Sequence, residues 1–131
     1  MNSGHSLQEL RTQANNGTRS LYDNNKGVYG LLRYGVQVKV AAGQPAQSVE
    51  FIDWQHPEAN DFAIAEEVTL KGGNDRRTDL VLYINGIAVA VIELKNASTD
   101  VGAAIRQLLS NQDKMFNEWF FPTVQIVFAG N

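Results

Sequence analysis

Residues 78–96 read TDLVLYINGIAVAVIELKN, and this stretch decides the fold that the sequence predicts. Two apolar segments of strand length flank Asn85-Gly86, a dipeptide that favours the left-handed backbone of a two-residue turn. The pattern therefore predicts a β-hairpin. Because a hairpin brings its two ends together, we expect Asp79 at its start to lie close to Glu93 and Lys95 at its end.

Patterns on both sides of the hairpin predict further helices and strands. Helices are expected over residues 7–14, 20–34 and from 101 onward, the last with cap residues at 98–100. Strands are expected over residues 36–40, 48–54, 62–70 and 124–130, with a turn over 71–75. The third helix is expected to bury an apolar face formed by Val101, Ile105, Leu108, Leu109 and Met115. This order predicts an α/β fold in which a mixed β-sheet is flanked by helices.

Length and composition suit one soluble domain. The 131 residues predict a single domain over 1–131, with a polar segment over about 1–19. There is no cysteine, no apolar run long enough for a membrane span and no signal-peptide pattern, so a cytoplasmic location is expected. The net charge of −3 argues against a simple, tight duplex-binding protein, but carboxylates that hold a metal ion are acidic by necessity.

The paired ends of the hairpin predict metal-dependent chemistry. Mg²⁺ prefers oxygen ligands and keeps several waters, so the carboxylates of Asp79 and Glu93 are enough to hold it, with Mn²⁺ as a substitute. The main-chain carbonyl of Leu94 is a third candidate ligand, while its side chain is expected to point into the core. Lys95 lies two residues after Glu93 on the same strand face, where it can orient or deprotonate water or stabilise developing negative charge. The alternative is that Glu93 and Lys95 form an ordinary solvated ion pair.

Longer stretches of the sequence resemble a known family. Asp79 followed by Glu93-Leu94-Lys95 resembles the PD-(D/E)-x-K nuclease signature. The wider run is similar to the N-terminal nuclease domain of the type I restriction enzyme R subunit, through residues 31–36, 51–54, 60–67, 76–82, 85–86 and 90–96. The resemblance implies a restriction-endonuclease-like fold and Mg²⁺-dependent cleavage of double-stranded DNA by a type I deoxyribonuclease.

The resemblance also implies roles for individual residues. Asp79 and Glu93 match the metal ligands of the family, and Lys95 matches its catalytic lysine. Gln107 falls at the position of a glutamine that the family places near the DNA and the active site. The family has a tyrosine where this chain has Asn111, and a proline where it has Thr78.

DNA contacts and partners follow from the same resemblance and from the charges near the hairpin. Phosphate contacts are expected from Arg76 and Arg77, with further DNA contacts from Lys71, Arg106 and Asn111. The family continues into an ATP-driven motor, but this chain has no phosphate-binding loop of that kind, so ATP is expected only through a motor that this sequence does not contain. The chain is therefore expected to be a fragment of a larger subunit that works with modification and specificity subunits.

Three functions remain open at this point. The first is a Mg²⁺-dependent endonuclease domain that cuts duplex DNA with little sequence preference. The second is a catalytically silent module that docks onto DNA or onto other subunits. The third is another nuclease of the same fold, such as a junction resolvase. An N-terminal helix supplies a further acidic residue in many nucleases of this fold, and Glu9 is the early acidic residue available here.

Overall fold

Three helices and six strands make up the described part of the chain, which is residues 3–72 and 74–131 of a computed structural model. In chain order they are α1 (Ser3–Ala14), α2 (Leu21–Tyr34), β1 (Val36–Val38), β2 (Gln47–Val49), β3 (Phe62–Leu70), β4 (Arg76–Ile84), β5 (Ile87–Leu94), α3 (Val101–Asn111) and β6 (Ile126–Gly130). Short 3-10 turns lie at Pro57–Ala59 and Glu118–Thr123. The chain divides into an N-terminal unit, Met1–Asn60, and a C-terminal unit, Asp61–Asn131. The single-domain expectation stays a prediction.

The N-terminal unit contains α1, α2 and a two-stranded sheet. Helix α2 begins after Ser20, whose hydroxyl accepts a hydrogen bond from the main-chain N–H of Asp23 at 3.1 Å. The helix ends at Gly35, which has φ +75° and has the main-chain oxygen of Val49 2.6 Å from the position of an added Cβ. Only glycine fits there without strain. Strands β1 and β2 then pair in antiparallel fashion.

The C-terminal unit is built on a four-stranded sheet in the order β3-β4-β5-β6. The first three strands are antiparallel neighbours, whereas β6 runs parallel to β5 after the crossover through α3. The predicted α/β class with a mixed sheet and flanking helices is confirmed, and the order of elements is consistent with a restriction-endonuclease-like fold. Helix α3 begins after Asp100, whose carboxylate accepts the N–H of Gly102 at 3.1 Å.

The central hairpin forms as the sequence predicts. Both turn residues have positive φ, +51° at Asn85 and +79° at Gly86, which are the signs that a type I′ turn requires. The Asn85 side chain also accepts the N–H of Asp61, and its own N–H donates to the Asp61 carbonyl, each at 2.8 Å. The turn is therefore tied to the start of the neighbouring strand β3 as well as closing the hairpin.

Three predicted strands differ in extent from those observed. The strand expected over residues 36–40 ends at Val38. The strand expected over residues 48–54 is wrong beyond Val49, because residues 50–54 form a loop. Asn60 accepts the N–H of Asp53 at 2.8 Å and donates to its carbonyl at 2.9 Å, so a side chain takes the place of a neighbouring strand. The last strand begins at Ile126 rather than at residue 124. The turn expected over 71–75 includes Gly73, which lies outside the described residues.

The predicted apolar face of α3 is partly wrong. The buried residues of this helix are Ala104, Leu108 and Asn111, whereas Ile105 and Leu109 are exposed. Met115 lies beyond the end of the helix and is also exposed. The buried face of α3 is thus rotated from the predicted apolar face and includes the small residue Ala104 and the polar residue Asn111. No described helix is long and apolar enough to cross a membrane.

Candidate active site

The hairpin brings Asp79 beside the end of strand β5. The pairing of Leu80 with Ile92 puts Asp79 opposite Glu93 across the two strands. The main-chain N–H of Leu94 donates to Oδ2 of Asp79 at 2.6 Å. This short bond to a carboxylate fixes Asp79 against the backbone of the strand that carries the other acidic residue.

Glu93 is a carboxyl group with no exposed surface (0%). It lies on the sheet face that α3 covers, since Gln107 of α3 donates from Nε2 to Glu93 Oε2 at 3.2 Å. The other carboxyl oxygen, Oε1, is buried and has no hydrogen-bond partner among the described residues. Burial, followed by the neighbouring charge of Asp79, raises the pKa of Glu93 to about 7, and Lys95 acts in the opposite direction. A perturbed acid in this position is typical of functional sites.

The prediction that the Leu94 side chain points into the core is wrong. That side chain is 48% exposed, because Glu93 is the residue on the covered face and Leu94 faces the opposite side. The proposed role of Leu94 as a metal ligand concerns its carbonyl and is unaffected. The N–H bond to Asp79 places the backbone of Leu94 beside the site.

Gln107 joins the two charged residues at the end of the hairpin. Lys95 Nζ donates to Gln107 Oε1 at 3.0 Å, while the amide nitrogen of Gln107 reaches Glu93. The amide orientation suits both neighbours, since its oxygen meets an ammonium and its nitrogen meets a carboxylate. The structure thus brings together four of the predicted site residues, Asp79, Glu93, Lys95 and Gln107. No pattern in the sequence predicted that Gln107 connects Lys95 to Glu93.

The arrangement offers two carboxylates to a cation. Oε1 of Glu93 is a buried acceptor with no hydrogen-bond partner in the described part of the chain, and the carboxylate of Asp79 lies close to Glu93. This donor set suits a hard divalent ion such as Mg²⁺. Within residues 3–72 and 74–131, no group of three Asp, Glu, His or Cys side chains converges on one point. The remaining ligands of such an ion would have to be waters, a main-chain carbonyl or substrate oxygens.

A shallow cavity of about 400 Å³ opens beside Asp79. It is also lined by Glu66, Glu67, Leu80 and Leu94. Glu67 has φ +53°, a left-handed conformation that costs a non-glycine residue about 1 kcal/mol or more. No pattern in the sequence predicts this unusual backbone conformation.

The residues predicted to contact DNA differ in their surroundings. Lys71 pairs with Asp75 at 2.8 Å, and Arg77 lies 3.5 Å from Glu67, both on the surface. The Arg76 guanidinium lies 4.1 Å from the ring centroid of Phe116. Arg106 is exposed on α3, next in sequence to Gln107, and the described residues include no acidic partner for it within 4 Å.

Two positions that depart from the family pattern are both buried. Asn111 has no exposed surface, and neither polar atom of its side chain has a hydrogen-bond partner among the described residues. It does not reach the surface, so it is not among the DNA contacts that we propose below. Thr78 is also fully buried and donates its hydroxyl to the Val68 carbonyl at 3.4 Å. Glu9 is an exposed residue of α1 in the N-terminal unit, and its predicted role stays a prediction.

Comparison with known proteins gives a consistent result. A family model described as the type I restriction enzyme R protein N terminus matches residues 1–131. The chain is 27% identical over 113 residues to the type I restriction enzyme HindI endonuclease subunit of Haemophilus influenzae. The matched stretch is 81% of this chain and 11% of that protein. No solved structure matches the chain significantly.

Two archaeal proteins of Methanocaldococcus jannaschii are also similar. The putative type I restriction enzyme MjaVIIIP endonuclease subunit is 40% identical over 53 residues, 40% of this chain and 5% of that protein. The putative type I restriction enzyme MjaIXP endonuclease subunit is 28% identical over 100 residues, 72% of this chain and 10% of that protein. The chain therefore spans about a tenth or less of the curated relatives that it matches.

Proposed function

The chain belongs to the family of type I restriction enzyme R protein N termini, and from this premise we propose that it is a Mg²⁺-dependent endonuclease domain. Its substrate would be double-stranded DNA, and its reaction the hydrolysis of a phosphodiester bond. The names of the curated relatives, all endonuclease subunits, support the class of reaction.

The observation that carries this proposal is the state of Glu93. A carboxyl group is costly for a protein to maintain when it has no exposed surface, an oxygen without a hydrogen-bond partner among the described residues and a second carboxylate beside it. A divalent cation bound between Asp79 and Glu93 would offset that cost. The residues that would hold it are these two carboxylates together with the Leu94 carbonyl. When bound, Mg²⁺ or Mn²⁺ would supply charge neutralisation at the phosphate and activation of water.

Lys95 and Gln107 would complete the site. Lys95 is half-buried at the end of β5, where its ammonium group is held by the Gln107 amide oxygen. From that position it would donate to the attacked phosphate or orient the attacking water. Gln107 would act as a positioning residue, because it holds Lys95 on one side and Glu93 on the other.

DNA would be held by surface cations of the C-terminal unit. Among the predicted DNA-contact cations, Arg106 and Arg76 have no carboxylate within 4 Å in the described part of the chain, and the more exposed Arg106 is the first candidate for a phosphate contact. Arg77 and Lys71 have acidic neighbours on the surface, and exposed pairs of this kind are weak enough to exchange partners for a phosphate. Arg76 would add to the positive potential from its place over Phe116.

We further propose that the domain acts within a larger assembly. The length of its relatives fits a subunit in which an ATP-driven motor follows the nuclease domain. Modification and specificity subunits would then choose the DNA site, since no described element of this chain resembles a base-reading helix. ATP would act only through the motor.

The proposal is tested by titrating Mg²⁺ or Mn²⁺ into the protein and by measuring the nicking of supercoiled plasmid. Wild type should bind the metal and nick DNA, whereas Asp79→Asn and Glu93→Gln should lose both properties. Asp61→Asn is the matched control. Asp61 is exposed just before the start of β3, next to the hairpin turn and away from Asp79, and its side chain makes no described hydrogen bond. Nicking by Asp79→Asn at the wild-type rate would refute the proposed active site.

A second candidate function is a catalytically silent module that docks onto DNA or onto other subunits. The absence of a third convergent acidic residue among the described residues favours it, since fewer protein ligands give weaker metal binding. This alternative requires wild type to bind DNA equally well with and without metal and to produce no nicks.

A further inference from the structure

The outer face of α2 carries alternating aromatic and basic side chains. Tyr22, Lys26, Tyr29 and Arg33 follow the spacing i, i+4, i+7, i+11, which places all four within an arc of about 60° on the helix surface. We call this set the α2 stripe. Tyr22 is 73% exposed and Tyr29 is 50% exposed, and both cations are exposed as well. The buried residues Asn24, Val28 and Leu32 lie on the other side of the helix.

One end of the stripe is arranged in advance. The Arg33 guanidinium lies 5.4 Å from the ring centroid of Tyr34 and 5.3 Å from that of Trp54, so two rings hold it on the surface. Trp54 is fixed in turn, because its indole N–H donates to the Leu32 carbonyl at 2.9 Å. Both rings are themselves largely exposed. The cation is therefore held in place before a ligand binds, so binding costs it little side-chain entropy.

The cations of the stripe have no acidic partner. Within the described ranges, no carboxylate lies within 4 Å of the charged groups of Lys26 or Arg33. A cavity of about 440 Å³ opens beside Lys26 and is lined by Arg19, Asp23 and Gly27 as well. In that cavity, the Asp23 carboxylate is engaged by the Ser20 hydroxyl at 2.9 Å. Lys26 and Arg33 therefore remain available to an anionic ligand.

We propose that the α2 stripe binds single-stranded DNA, with phosphates on Lys26 and Arg33 and unpaired bases stacked on Tyr22 and Tyr29. Exposed aromatic rings interleaved with cations are the arrangement that single strands use, because every base offers a face for stacking. A duplex keeps its base faces within its own stack, so two tyrosines on a convex helix gain nothing from it. A protein partner would have to desolvate both cations at the centre of the contact.

Charge also supports this assignment. The N-terminal unit has five basic and five acidic residues, whereas the C-terminal unit has six basic and nine acidic residues. The unit that carries the stripe therefore repels a phosphate backbone less than the unit that carries the carboxylates. The inference goes beyond the proposed cleavage activity, since it concerns a separate surface that needs no metal.

The test is fluorescence anisotropy of the full chain with an oligothymidine of about 20 nucleotides, in the presence of a chelator. Tyr22→Ala combined with Tyr29→Ala should weaken binding about tenfold or more, because each stacked base contributes measurably. Tyr22→Phe combined with Tyr29→Phe keeps the rings and should bind as wild type. A wild type that does not bind the oligothymidine, or an alanine variant that binds as well as wild type, would overturn the proposal.

The two cations are tested through salt dependence. Lys26→Ala combined with Arg33→Ala should reduce the slope of log affinity against log salt by about 1.4, at about 0.7 for each phosphate contact on a single strand. Lys39→Ala is the matched control, since Lys39 is an exposed cation of the same unit outside the stripe, and it should leave the slope unchanged.

Two further measurements separate this surface from the proposed active site. Tyr22→Ala combined with Tyr29→Ala should weaken binding of the single strand but leave binding of a duplex of the same length unchanged, and an equal loss for both ligands would overturn the choice of ligand. Asp79→Asn should bind the oligothymidine as wild type does, whether or not the wild type nicks plasmid. Failure of the nuclease proposal would therefore leave this one standing, and the reverse also holds.

Discussion

Replacing Glu93 with glutamine should stabilise the metal-free protein at neutral pH. The side chain is fully buried, and its pKa rises from 4.5 to about 7 on folding. Below about pH 4 the carboxyl is protonated in both states and contributes no penalty. As the pH rises, the unfolded chain loses this proton first, so the free energy of unfolding falls until the folded carboxyl has also ionised near pH 7. Glutamine does not titrate and escapes this loss.

The expected size of the effect follows from the same two values. A change from 4.5 to about 7, at about 1.4 kcal/mol for each factor of ten, corresponds to about 3 kcal/mol. The advantage of Glu93→Gln should therefore grow by about that amount between about pH 4 and pH 8. The assay is urea-induced unfolding followed by circular dichroism in the presence of a chelator. Glu50→Gln, at an exposed carboxyl, is the control and should show no such trend.

Metal should largely cancel the difference. A cation that binds only the folded wild type stabilises it by about 2.7 kcal/mol at a hundredfold excess over the dissociation constant. Magnesium at pH 8 should therefore raise the stability of wild type and leave Glu93→Gln unchanged. If the two proteins differ by the same amount at every pH, the carboxyl is not the strained group that its burial implies, and the reasoning fails.

Other substitutions test single contacts. Gln107→Ala removes the amide that holds Lys95, so plasmid nicking should fall about 10- to 100-fold with an unchanged circular dichroism spectrum. Gly86→Ala puts a side chain on a residue with φ +79° and should lower the free energy of unfolding by about 1 kcal/mol. Gly30→Ala adds a methyl group in open space within α2 and should raise the free energy of unfolding by about 0.5–1 kcal/mol. Urea titration measures both changes. Asn111→Leu removes a buried amide that has no hydrogen-bond partner among the described residues and should raise the free energy of unfolding by about 1 kcal/mol. A lower free energy of unfolding would show that the amide does form hydrogen bonds in the folded protein.

The hairpin was predictable because its signal is local. The Asn85-Gly86 turn specifies its own backbone and pairs Ile84 with Ile87. Continued along the strands, that register would place Asp79 opposite Ile92. A register shift between Leu82 and Tyr83 places Asp79 opposite Glu93 instead, and no local signal in the sequence predicts this shift. The start of α3 was equally local, since Asp100 caps the helix through its own side chain.

Which face of each element is covered was not predictable, because it depends on distant residues. Alternation correctly placed Glu93 and Leu94 on opposite faces, but apolarity assigned the wrong one to the interior. The covered face is the one that lies beneath α3, and nothing in the hairpin sequence specifies that position. The same cause explains α3 itself, where Asn111 is buried and Leu109 is exposed.

The bridge through Gln107 shows how the two kinds of inference combine. Resemblance to a family identified the position, but only the distances of 3.0 Å to Lys95 and 3.2 Å to Glu93 give it a physical role. The amide separates an ammonium from a buried carboxyl that would otherwise form a direct ion pair. Such a pair would satisfy Glu93 and lower its pKa, leaving less to gain from a cation. Because Gln107 lies between Lys95 and Glu93, it would preserve the metal affinity of Glu93 and leave Lys95 free to act on a phosphate. Gln107→Ala should therefore weaken metal binding as well as nicking.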